Sequence, residues 1–127
     1  MKRSELHGLL LVDKPSGMTS HDVVARIRHA LKIKEVGHTG TLDPMASGLM
    51  VVLLGEATKI SQYILSQNKG YEVALRFGLT TDTLEITGTK TEEFSHIPTI
   101  EQIKQAGLAF IGKFELPVPK VSAVKVE

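Results

Sequence analysis

Cysteine is absent from this chain, which rules out disulfides, cysteine-ligated iron–sulfur clusters and thiol catalysis and fits a reducing compartment, with the cytoplasm as the expected location. Tryptophan is missing too and aromatic residues make up only 5% of the sequence, so packing must rest on Leu, Ile and Val. No long apolar run is present: the stretch that ends before Asp13 is too brief for a secretory signal and far too brief for a membrane span. The five histidines, at 7, 21, 29, 38 and 96, show no metal-ligand spacing, and neither a dinucleotide fingerprint nor a phosphate loop occurs, so no metal and no cofactor are expected. Net charge is only +1, and bulk electrostatics therefore announces no polyanionic partner.

What is present fits one globular domain over residues 1–127, with 42% hydrophobic residues, no internal repeat and no dividing linker. Gly8 to Val12 is a continuous apolar run closed by Asp13-Lys14-Pro15-Ser16-Gly17, which predicts a buried strand ending in a turn. Lys14 at the strand end reads equally as a solvated turn lysine or a phosphate contact. Thr19-Ser20-His21-Asp22 has the spacing of a capping box, and Val23, Val24, Ile27, Ala30 and Leu31 continue it as a helix running to about Lys34. Arg26, Arg28, His29 and Lys32 then form a basic face, either solvated or tracking phosphates.

Between that helix and a second apolar run, Leu49 to Leu54, lies Gly37-His38-Thr39-Gly40-Thr41-Leu42-Asp43-Pro44. Gly37 and Gly40 let backbone approach a ligand closely, and Pro44 restricts Asp43 to an extended conformation, so the carboxylate points in a fixed direction. The stretch reads either as an Asx-type turn or as an active-site loop, since an aspartate can act as nucleophile or general base without a metal. Gly55 to Lys59 opens a further helix that stops at Asn68-Lys69-Gly70, and Tyr71, Val73, Leu75 and Phe77 alternate with polar residues as a half-buried strand. Gly78 to Lys90 is a hairpin-like connection, Thr99 to Gln102 is a second capping box, and Pro117 and Pro119 delay any regular strand to about Val121.

Several of these stretches together resemble one family. Leu11 to Ser20, Gly37 to Pro44, Gly48, Gly55 to Lys59, Lys69-Gly70-Tyr71 and Thr81-Asp82-Thr83 are similar, in order and spacing, to the bacterial TruB-type tRNA pseudouridine synthases, with a weaker echo at Ser122 to Lys125. The resemblance implies an α+β fold carrying part of a mixed, largely antiparallel central sheet flanked by helices. It implies isomerisation of uridine-55 in the T-loop of tRNA, with the tRNA T-arm as partner and no cofactor. Asp43 matches the family's catalytic aspartate, His38 the histidine that holds the opened RNA loop, and Tyr71 the aromatic that stacks on the extruded base. Lys14, Thr39 and Gly40 match the substrate-binding surroundings. Family members continue into further catalytic strands and usually a PUA domain, so residues 1–127 correspond to the N-terminal portion of the catalytic domain. Two expectations follow: catalysis by this chain is incomplete, the alternative function being that of an RNA-binding fragment for the T-arm, and exposed sheet edges promote self-association. Leu116, Val118, Val121 and Glu85 depart from the family pattern.

Overall fold

In the computed structural model, which describes residues 6–113 and 115, the chain groups into two compact units, Met1–Gly70 and Tyr71–Glu127. The first contains β1 (Gly8–Lys14), α1 (Ser20–Leu31), β2 (Val36–His38), β3 (Gly48–Leu54), and a 3-10 turn, Gly55–Ile60, that runs into α2 (Ser61–Leu65). Its sheet has the order β1-β3-β2 with both pairings antiparallel, so β1 is an edge among the described strands. The register places Leu10 opposite Val52 and Val12 opposite Met50. Met50, Val52 and Leu54 on that face meet Val23 and Val24 of α1, with Ile33 and Val36 closing the core and Val12, Met18 and Ile27 packed beside it.

The start of α1 is local chemistry. Thr19 Oγ1 accepts the Asp22 N–H at 3.0 Å, while the Asp22 carboxylate accepts the Thr19 N–H at 2.9 Å and its hydroxyl at 2.6 Å. Those bonds, the hydroxyl's first, hold the Asp22 carboxyl below the usual aspartate value. The helix ends at Leu31, earlier than its pattern predicts. Lys32 turns into the left-handed region at φ 53, its N–H reaching the Arg28 and His29 carbonyls, and the Ile33 N–H donates to Arg28 O at 3.3 Å. The reversal drops Ile33 into the core, and that burial sets the endpoint.

The apolar run Gly8 to Val12 forms a strand as expected, but it is not buried on both faces. Leu9 and Leu11 are 55% and 68% exposed because α1 covers only the opposite face of the sheet. His38, expected in a loop, ends β2 opposite Val52.

In the second unit, β4 (Leu79–Thr81) and β5 (Lys90–Glu93) pair antiparallel, with a register irregularity between Thr80 and Thr81. Asp82 Oδ1 accepts the Thr89 N–H at 2.8 Å and Thr81 donates to Glu85 O at 2.7 Å, which closes the expected hairpin-like connection. The second capping box starts α3 (Ile100–Leu108): Thr99 accepts the Gln102 N–H at 3.2 Å and its own N–H donates to the Gln102 side chain at 2.9 Å. Tyr71 to Phe77 is a correction. It is exposed throughout and pairs with no described strand, and alternation alone cannot make a strand without a neighbour to complete its ladder. The readings for Leu116 to Val126 lie outside the described residues. No helix among the described residues is long and apolar enough to cross a membrane.

Candidate active site

Asp43 sits where two loops of the first unit are tied together. One is the turn after β1, residues 15–19; the other connects β2 to β3. The Gly17 N–H donates to Pro44 O at 2.7 Å, and Ser16 Oγ donates to Met45 O at 2.9 Å. From the other side, Ser20 Oγ both accepts the Leu42 N–H at 2.9 Å and donates to Leu42 O at 3.1 Å. Asp43 itself opens a tight turn, its carbonyl accepting the Ala46 N–H at 3.0 Å with Pro44 at the position whose φ proline pre-sets. The backbone is therefore fixed on both sides of the aspartate, while Asp43 is exposed and, among the described residues, no hydrogen bond reaches its carboxylate. A carboxylate held this way can serve as nucleophile or base toward whatever is brought to it.

Lys14 is the second correction. Read from sequence as a turn lysine or phosphate contact, it has 0% exposure. Its ammonium donates to Met18 O at 2.7 Å, Pro15 O at 3.0 Å and Pro44 O at 3.4 Å, matching its three donors with three carbonyls. A buried ammonium is tolerated only when its donors are matched, and here that requirement closes the turn under Asp43. Arg28, part of the expected basic face, is likewise engaged by backbone, its Nε donating to Lys34 O at 3.2 Å and its Nη2 to Val36 O at 3.3 Å. Arg26, His29, Lys32 and Lys34 stay exposed.

His38 is half-buried at the head of the same loop. Its Nδ1 lies 2.8 Å from Gly40 O and 3.4 Å from the Gly40 nitrogen, so in either tautomer Nδ1 finds its partner on Gly40, which leaves Nε2 for a ligand. Thr39 is buried, with its N–H bonded to Val51 O at 3.1 Å, so it anchors the loop to β3. Gly40 is half-buried, with the Lys69 Cε 3.9 Å from where a Cβ would stand. Lys14, His38, Thr39, Gly40 and Asp43 thus belong to the first unit, whereas Tyr71, 69% exposed, is the first residue of the second. Sequence reasoning gives no role to Ser20. A signal for it exists: when Thr19 caps the helix, a second hydroxyl next to it is free to reach another loop. Among the described residues no three His, Asp or Glu side chains are placed to hold a metal ion.

Fold and site together define an α+β domain that presents one solvent-facing aspartate from a loop fastened at both ends. Residues 28–127 match the TruB family pseudouridylate synthase N-terminal domain, and the chain belongs to that family. It is 53% identical over 127 residues to tRNA pseudouridine synthase B of Bdellovibrio bacteriovorus, an alignment covering 98% of this chain and 41% of that protein. With tRNA pseudouridine synthase B of Opitutus terrae the identity is 48% over 129 residues, covering 98% of this chain and 52% of the relative. The chain thus spans about half the length, or less, of these curated relatives. A crystal structure of a Cbf5-Nop10-Gar1 complex contains a chain 29% identical, aligned over 97% of this chain and 32% of its own length with a TM-score of 0.62. The elements described above are accordingly part of the pseudouridine synthase fold.

Proposed function

We propose that this chain carries the catalytic aspartate of a tRNA pseudouridine synthase acting on uridine-55 in the T-loop. The observation that carries the reading is the exposed Asp43 carboxylate on a backbone fixed from both sides, in a chain whose relatives bear the name of that enzyme. In the reaction the C1′–N1 bond breaks, the base turns, C5 joins C1′, the C5 proton leaves and N1 takes one up. A stacked uridine cannot offer its glycosidic bond to a carboxylate, so the nucleotide must leave the stack. His38, through Nε2, holds the opened loop, and Tyr71 stacks on the extruded base. Thr39 and Gly40 shape the approach, Lys14 acts through the Asp43 turn, and the exposed cations of α1 meet phosphates. The setting is cytoplasmic.

A second reading is favoured by the fraction of each relative that is covered: the isolated 127-residue chain grips the T-arm but turns over weakly or not at all. Release of tritium from tRNA labelled at uridine C5 separates the two. Release abolished by Asp43→Asn supports catalysis, and binding that survives this substitution without any release supports the gripping fragment. Release unaffected by Asp43→Asn would refute the assignment of Asp43. Copies of the chain associate through the edge of β1 that no described strand pairs, beside the face on which Leu9 and Leu11 are exposed.

A further inference from the structure

Lys69 makes none of the hydrogen bonds that fix the Asp43 backbone. It lies on the segment after α2 and is exposed, yet its Cε stands 3.9 Å from the point a Gly40 Cβ would occupy. The end of the side chain therefore lies beside the Asp43 loop at Gly40. Its Nζ donates to Leu65 O at 2.6 Å and Gln67 O at 2.9 Å, both carbonyls of exposed residues that water can satisfy in its place. Neither ion pair found among the described residues, Glu56 with Lys59 and Lys90 with Glu93, involves it.

The balance of charge at the loop gives this placement its meaning. A nucleotide delivered to Asp43 brings a phosphate toward a carboxylate, and like charges repel unless a cation stands between or beside them. Two cations that the sequence suggests for that task are already engaged: Lys14 is buried on three carbonyls, and Arg28 holds two more. Lys69 lies against the loop and can exchange its present acceptors at little cost.

We infer that Lys69 binds a backbone phosphate of the RNA nucleotide that enters at Asp43, releasing the carbonyls of the α2 terminus as it does so. The inference rests on the RNA reading above. Binding of a T-arm stem-loop RNA to the full chain, followed by fluorescence anisotropy across a salt series, tests it. Lys69→Gln is the informative variant: the amide can still donate to Leu65 O and Gln67 O, so a purely structural cap survives while the charge is removed. The expected result is a slope of log affinity against log salt that flattens by about 0.7 to 0.9, the signature of one fewer phosphate neutralised. Lys69→Arg retains the slope, and Lys104→Gln on α3, a charge control in the second unit, leaves it unchanged. A Lys69→Gln chain with unaltered slope overturns the inference, whether or not its affinity falls uniformly. If the unsubstituted chain binds this RNA without salt dependence, or not at all, the RNA reading itself fails and the role of Lys69 with it.

Discussion

Replacing Lys14 by Met separates a carbonyl clamp from a phosphate contact. Methionine keeps most of the volume of the buried stem, so the packing change is small and the loss is that of the ammonium. Of its three acceptors, Pro44 O keeps the Gly17 N–H at 2.7 Å. Pro15 is an exposed residue whose carbonyl water can reach, whereas Met18 is half-buried and its carbonyl, at 2.7 Å, loses the shortest of the three bonds. An unsatisfied buried acceptor costs about 1–3 kcal/mol, and relief from burying a charge returns part of that. The net expectation is a loss of about 1–2 kcal/mol, a sizeable share of the ~5–15 kcal/mol that holds a domain folded. Urea unfolding followed by far-ultraviolet circular dichroism reads it as a midpoint lower by roughly 0.3–2 M, taking a slope of about 1–3 kcal/mol per molar. The Lys14→Met chain, where folded, keeps the salt slope of RNA binding. A stability within about 0.5 kcal/mol of the unsubstituted chain, or a salt slope flattened as by removal of one phosphate-binding cation, would refute the clamp.

Thr19→Ala removes the hydroxyl that caps α1 and is expected to cost about 1 kcal/mol in the same unfolding assay. It also changes the acid limb. The folded Asp22 carboxyl titrates below its ordinary 3.8, so its contribution is present above that pH and is lost as pH falls through the lower folded value. Thermal melts through this window should show the unsubstituted chain losing stability more steeply than Thr19→Ala; parallel curves would remove Asp22 from the account. For association through β1, Leu11→Asp places a charge on a residue already 68% exposed, outside the core. Sedimentation velocity should show larger species at high concentration for the unsubstituted chain and a monomer for the variant, and a single monomer peak for both would count against the proposal.

The parts of this fold that can be read from sequence are those whose causes lie within four residues. Both capping boxes are of that kind: Thr19 with Asp22 and Thr99 with Gln102 each satisfy backbone donors inside one turn, and both helices begin there. The apolar runs of β1 and β3 declare themselves as strands, but not which face is covered, since that depends on where α1 lands. The end of α1 is not legible in the same way, because Lys32 adopts a left-handed conformation for the sake of Ile33, and nothing in the local pattern announces that Ile33 belongs to the core. Tyr71 to Phe77 misleads for the complementary reason. Alternation records that a strand could be half-buried, while the ladder that makes it a strand must be supplied by another segment.

The site divides along the same line. The motif around Asp43 marks the aspartate and its own turn to Ala46, yet the bonds that tie this backbone to the rest of the unit come from residues far away in sequence: Gly17 to Pro44, Ser16 to Met45, Ser20 to Leu42. Lys14 shows why a residue type alone misleads. A lysine followed by Pro-Ser-Gly reads as a solvated turn because two of its three acceptors, at 15 and 18, are ordinary turn carbonyls. The third belongs to Pro44, thirty residues on. Once that carbonyl arrives, the ammonium is fully matched and burial costs less than exposure of the turn would suggest. The ammonium is thereby withdrawn beneath the loop, and the phosphate contact proposed above falls to a side chain that reaches the loop from outside it.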